Sequence, residues 1–324
     1  MKLRELYEIM VREGVKHDPR GEAGTDYVLE LSRKEYEELP EDRRWEFDAE
    51  RLENPFTDTR ILNGDPETEI RRALVGIDMG VAEVVLADRL RERGEIIDLL
   101  VAHHPEGRAL ADLPEVMRLQ ADVWKRQGVP VSFGDAVISD RMREVLRWFH
   151  SSNTEQSLSA ARLLDFPFIC CHTPSDNAVT SFLQSRMDGL PDEARVKDVL
   201  SNLKEIPEYR TAVLQGTGPT LYAGDEDRRA GKIMVDMTGG TEGPKDALER
   251  LAQAGVGTIV GMHMSDEHRK RADELKLNVV IAGHMASDSL GMNLILDEWE
   301  RAGVEVASVS GFIRHSRVGP AVQE

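Results

Sequence analysis

Residues 96–110 read IIDLLVAHHPEGRAL, an apolar run that ends in two adjacent histidines and a proline. An apolar run of this length with polar groups at its carboxyl end reads as a buried strand entering a loop. Strand and helix patterns alternate on both sides of it. Upstream lie a strand in RRALVGIDMG (71–80) and a helix over 82–93; downstream follow a helix over 114–126, a strand VPVSF (129–133) and a helix over 140–149. Alternation at this spacing points to βαβ units and a largely parallel sheet.

The second half repeats the theme. A helix over 155–164 leads to strand FPFICC, a helix from 176 and a helix over 196–203. Strands YRTAVLQG and AGKIMVDMTGG follow, then helix 244–254, strand GTIVGM, helix 266–275, strand NVVIAG, helix 287–301 and strand VEVASVS. The expected fold class is therefore α/β, with two similar subdomains of largely parallel or mixed sheets sharing a cleft. The first subdomain is expected over 61–150, the second over 151–316 and a tail over 317–324. No long Pro- or Ser-rich linker separates the halves. Before them, a helix over 3–12 presents Leu3, Leu6, Ile9 and Met10 on one face, with Gly14 as its stop. Residues 15–56 are rich in charge and turn formers and read as loops and short helices, an extension of the first subdomain within 1–60. Its Tyr27, Tyr36, Trp45 and Phe47 are expected to pack on another surface, a neighbouring subunit being one choice.

The 324 residues carry a formal net charge of −18, which excludes broad attraction to nucleic acid or an anionic membrane. There is no uncharged apolar span of about 18 residues and no signal-peptide core at the charged N-terminus. Cys170 and Cys171 are adjacent, so their Cα atoms stand about 3.8 Å apart, too close for an ordinary disulfide. They read as small strand residues in a reducing compartment, and a cytoplasmic location is expected.

Four strand ends share a pattern: LLVAHHPEG, FICCHTPSD, IVGMHMSDEH and VVIAGHMASD each carry an apolar run into histidine. These place His103 and His104, His172 with Asp176, His263 with Asp266 and His268, and His284 with Asp288 where α/β sheets bind ligands. One such histidine is most often bonded to a backbone carbonyl; several converging on one cleft are harder to explain that way. Imidazoles mixed with carboxylates suit Zn, Fe, Mn or Co better than calcium. In HTPSD and HMASD the acid falls at a helix start, with Ser175 and Ser287 as N-caps. The helix dipole alone favours an acid there by about 0.3–1 kcal/mol, yet it does not account for histidine four residues earlier.

With GIDMG (76–80), LLVAHHP (99–105), CHTPSD (171–176) and IAGHMASDSLGM (281–292), the chain resembles the Nif-three-like family (NGG-one-interacting factor three), GTP cyclohydrolase I type 2-like dinuclear-metal proteins, over about 65–309. The resemblance implies two α/β subdomains, a cleft holding two divalent metal ions (Zn, Fe or Mn) and a ring-shaped homohexamer. Carried over motif by motif, it implies His103, His104, Asp176, His284 and Asp288 as metal ligands and His172 at the edge of the site. His268, in MSDEH, becomes a candidate for substrate contact or proton transfer. The chain departs from the family in having Asp288 for the usual glutamate, Met285 for an aromatic, and HTPSDNA for HTNLDA.

Three neutral imidazoles and two carboxylates around two divalent cations leave a surplus of positive charge, suited to a small anionic substrate that is phosphate-containing or nucleotide-like. Metal-dependent hydrolysis follows, with His172 or His268 moving a proton. A non-enzymatic, metal-bound oligomeric scaffold is the competing reading, favoured by the 15–56 extension. GTP cyclohydrolase-type activity follows only from the family resemblance. A Cys–His dyad is disfavoured because Cys170, Cys171 and His172 are backbone neighbours. TGGTEGPKDA (238–247) lacks the P-loop pattern, although its helix start could offer amides to a phosphate. Two divergent histidines at one strand end suit two ions, one each, and Pro105 holds His104 in extended backbone.

Overall fold

Along β2 (Arg72–Gly76), Ala73 and Val75 turn to one side of the sheet and Leu74 to the other, and each side is buried against a different set of helices. This two-sided burial explains why β2, β3 (Leu99–Ala102) and β4 (Phe168–Cys170) are apolar without interruption. The computed structural model describes residues 1–319. β1 (Arg60–Asn63) closes this sheet antiparallel to β4, and β9 (Glu305–Val309) adds in parallel beside β2, giving the order β1-β4-β3-β2-β9. A second sheet has the order β5-β8-β7-β6, from β5 (Thr220–Ala223), β6 (Lys232–Asp236), β7 (Val256–Gly261) and β8 (Asn278–Ile281).

The two sheets repeat one plan. Each contains a parallel trio (β2-β3-β4 and β6-β7-β8), and an antiparallel strand pairs with the trio's last member. The antiparallel register slips at the same place in each, between Ile61 and Asn63 and between Leu221 and Ala223. Each bulged strand then turns through a glycine at positive φ, Gly64 at 107° and Gly224 at 99°.

Helices Thr173–Asp188 and His284–Arg301 lie between the sheets. Val179, Leu183 and Leu290 pack with Val235, Val260 and Val280 of the second sheet, whereas Met292, Ile295, Leu296 and Trp299 pack with Val75, Val101 and Ile169 of the first. The outer face of the second sheet is covered by helices that include Leu119–Gln127, Val131–His150 and Asp246–Gln253, and that of the first by Val81–Glu92 and Gln156–Leu163. The result is a layered α/β/α/β/α stack with the carboxyl ends of the strands opening toward the two central helices.

Strand pairing redraws the expected boundaries. β4 and β9 both belong to the first sheet, so 151–316 is not one unit; pairing partners more than a hundred residues apart leave no local mark. VPVSF is not a strand: Pro130 precedes helix Val131–His150, which buries Gly134, Ile138, Met142 and Val145 along one face. YRTAVLQG is likewise mostly helix Pro207–Leu214, with Pro207 in its first turn. The first helix buries Leu3, Leu6, Ile9 and Met10 as expected but continues to Lys16. Gly14 is a packing residue within it, because a Cβ there would stand 2.7 Å from that of Pro174. The charged extension holds an 18-residue helix, Gly21–Glu38, and is tied down by the buried Arg60–Asp48 pair at 2.8 Å. No described helix is long and apolar enough to cross a membrane.

Candidate metal centre

β3 ends at Ala102, and the next two backbone amides still follow β2: His103 N donates to Gly76 O and His104 N to Ile77 O. Beyond the last strand pair the chain turns, and the two rings do not diverge as strand geometry requires. Their centroids stand 5.2 Å apart and both look toward the start of helix His284–Arg301. Each nevertheless meets a different oxygen of the same carboxylate: His103 Nε2 is 3.5 Å from Asp288 Oδ1 and His104 Nε2 is 3.6 Å from Asp288 Oδ2.

The other strand ends complete the cluster. Asp176, on the first turn of helix Thr173–Asp188, places Oδ1 3.6 Å from His103 Nε2 and Oδ2 3.7 Å from His172 Nε2. His284 Nε2 is 3.5 Å from Asp288 Oδ2, from the more open edge of the site. The carboxylates thus sit near the amino-terminal ends of the two central helices, Asp176 on the first turn of one and Asp288 just beyond the first turn of the other, and the helices approach so closely that a Cβ on Gly291 would lie 2.4 Å from Ser175 O.

These separations are too long for hydrogen bonds. Two donors bound at about 2.0–2.2 Å to one tetrahedral ion stand about 3.3–3.6 Å apart, and the separations here, 3.5–3.7 Å, lie at the top of that range or just above it. Asp176 Oδ1 and both oxygens of Asp288 are buried with no hydrogen-bond partner, a costly state for acceptors unless a cation satisfies them. The Nδ1 atoms are anchored outward: His103 to Cys171 O at 3.1 Å, His104 to Asp78 Oδ1 at 2.7 Å and His172 to Asp58 Oδ2 at 2.8 Å. Anchoring Nδ1 fixes the ring and presents Nε2 as the free donor atom. Two overlapping groups, His103–His104–Asp288 and His103–His172–Asp176, have ligand atoms close enough to hold a metal ion.

Electrostatics agree with this arrangement. Burial lowers the pKa of His103, keeping its ring neutral, and lowers that of His284 to about 4. Burial would also lower that of His172, but Asp176 and Asp58 on either side raise it to about 9. The carboxylates are driven apart. Burial raises Asp176 well above the usual range, while in Asp288 the effect of burial is outweighed by His103, His284 and His104, which lower it.

All five expected ligands therefore meet in one cluster, four of them lining one cleft with His104 joined through Asp288, and His172 approaches it more intimately than expected, within 3.7 Å of Asp176. His268 lines the same cleft, yet both ring nitrogens are engaged, Nδ1 with Ser265 Oγ at 2.7 Å and Nε2 with Gly243 O at 2.9 Å. It braces the 238–245 loop against helix Asp266–Glu274. Sequence reading missed Asp58 and Asp78. Asp78 lies within the GIDMG motif, whose polar residue at a strand end was its signal. Asp58 carries no comparable signal; fully buried, it accepts from Thr173 Oγ1 at 2.6 Å as well as from His172.

No family model and no curated protein matches the chain. Among solved structures, it is similar to a NIF3 superfamily protein from Sphaerobacter thermophilus, with 28% identity, a TM-score of 0.69, and coverage of 89% of this chain and 98% of that one. A second similar structure is reduced HcgD from Methanocaldococcus jannaschii, with 15% identity, a TM-score of 0.48, and coverage of 87% and 96%.

Proposed function

Since the chain belongs to the Nif-three-like family, we propose that its cleft is a two-metal centre and that the protein is a metal-dependent hydrolase of a small substrate bearing an anionic oxygen. The observation that carries this reading is the set of buried, unpartnered carboxylate oxygens on Asp176 and Asp288, ringed by imidazoles whose Nδ1 atoms are already held. His103, His104, Asp176, His284 and Asp288 would hold the ions, with Asp288 offering one oxygen to each side. When bound, two such cations supply Lewis acidity and a nucleophile from water near neutral pH.

The chain's own residues do the rest. Asp58 and Thr173 orient His172, which holds a proton on Nδ1 toward Asp58 and faces Asp176 with Nε2. His172 is thus placed to pass a proton at the cleft floor. His268 keeps the 238–245 loop in position. Assembly into a homo-oligomer, a hexamer by family resemblance, belongs to the same proposal.

The test is elemental analysis of the purified protein together with turnover on a phosphoester and cyclic-amide panel with added Mn, Zn or Fe. We expect one to two equivalents of metal, lost in a His103→Ala/His104→Ala double variant, and turnover abolished by Asp176→Asn. Folded wild-type protein that binds no transition metal would refute the site; metal binding without turnover would refute the hydrolase.

A further inference from the structure

Beyond the imidazole cluster, the cleft continues over the carboxyl end of β6 to a wall formed by Trp124, Leu248, Leu251 and Ile259. Its lining contains no lysine or arginine among the described residues. The polar groups away from the cluster are instead dominated by acceptors. Asp236, the last residue of β6, opens into the cleft, and none of the described side-chain hydrogen bonds or ion pairs involves its carboxylate. Gln120, 4% exposed, donates both bonds of its amide nitrogen to Gly239 O (2.7 Å) and Thr241 O (2.6 Å). Its Oε1 is left buried and unpartnered in the same lining. Glu242 is engaged through Ser265 N and His268.

The fold does not require an acid at position 236. By strand pairing, Asp236 opposes Gly261 as Gly76 opposes Ala102, so the equivalent residue of the first sheet is a glycine. Burial, with Glu242 nearby, raises the carboxyl of Asp236 to about 6. It remains mostly ionised at neutral pH, and no lysine or arginine of the lining meets it. An unpaired carboxylate and an orphan amide oxygen facing one cleft repel an anionic group and favour a donor.

We infer that Asp236 is a ligand-recognition residue that pairs with an N–H-donating nitrogen of amidine type on a small planar ligand. The flat apolar wall takes the ring, the carboxylate takes the paired N–H groups, and the opposite end of the ligand points to the His–Asp cluster. This rests on the two-metal reading only for that opposite end. It also narrows the substrate class: away from the imidazole cluster a polyphosphate finds no lysine or arginine along this cleft, whereas a heterocycle with one anionic or carbonyl oxygen finds a partner at each end.

The test uses the full-length protein as purified, with benzamidine as probe and benzoate, its carboxylate counterpart, as control, titrated by calorimetry. Benzamidine is expected to bind and to weaken at least tenfold in both Asp236→Asn and Asp236→Ala, while benzoate affinity stays within twofold or improves. Benzamidine that fails to bind wild-type protein, or that binds both folded variants as tightly, overturns the inference. Metal content measured on the same samples separates the two readings, because loss of the metal centre would leave the Asp236-dependent benzamidine response intact.

Discussion

An acid kept for recognition should cost the native state stability, and Asp236 allows that cost to be worked out. Its carboxyl rises from the ordinary 3.8 to about 6 through burial and the proximity of Glu242. The native state therefore binds this proton more tightly than the unfolded chain does. Stability from this group is fully present below about 3.8 and is lost as pH rises through about 6. At 1.36 kcal/mol per pKa unit the loss is about 3 kcal/mol. The carboxylate looks into a water-accessible cleft, and screening there reduces the figure to about 1–2 kcal/mol. Asparagine does not titrate. Asp236→Asn is thus expected to be more stable than wild type by about 1–2 kcal/mol at pH 8, with most of the gain gone at pH 4. Urea denaturation across this range, with the slope m unchanged, reads the difference directly. A gain that is the same at both ends, or a loss at pH 8, would refute the reasoning. A variant that is more stable yet blind to benzamidine is what selection for binding over stability would leave.

Two further substitutions test the architecture. Gly291→Ala would put a methyl 2.4 Å from the backbone oxygen of Ser175 and force the two central helices apart. A loss of about 2–3 kcal/mol is expected, and because these helices carry Asp176 and Asp288 near their amino-terminal ends, metal content should fall with it; an unchanged metal content would separate helix spacing from the site. Asp48→Ala would leave Arg60, 1% exposed, without the carboxylate it bonds to, the more distant Glu50 at 3.9 Å being its remaining acid. Stranding a buried guanidinium is expected to destabilise by about 3–5 kcal/mol, and a loss below 1 kcal/mol in urea denaturation would show that its bonds to Phe56 O and Thr59 O suffice.

What could be read in the sequence was whatever is written locally. The apolar runs ending in histidine at 103, 172 and 284 mark strand ends whatever they pair with, and the acids at 176 and 288 fall near the amino-terminal ends of the helices that follow. The convergence of His103 and His104 was not legible, because it depends on a backbone turn after the last paired residue. Neither was Asp58, which reaches His172 across 114 positions. Helix Val131–His150 was misread at its start because Val131 and Phe133 are good strand formers, while the buried positions that decide the matter, from Gly134 to Val145, lie further along. Asp236 was passed over for a related reason: an acid at a strand end is ordinary until the surrounding cleft is seen to contain no lysine or arginine.

The return of β9 to the first sheet makes the segment between β4 and β9 an insertion held at both ends. The covalent tethers are helices Thr173–Asp188 and His284–Arg301, the same elements that carry the two carboxylates. A free hinge needs flexible joints, and here both connections are stiff helices, side by side and packed together. Opening of the cleft by rotation of the second sheet is therefore opposed by chain connectivity. Any sliding of one tether past the other would instead change the distance between Asp176 and Asp288, so the motion the topology leaves available is one that metal occupancy would lock.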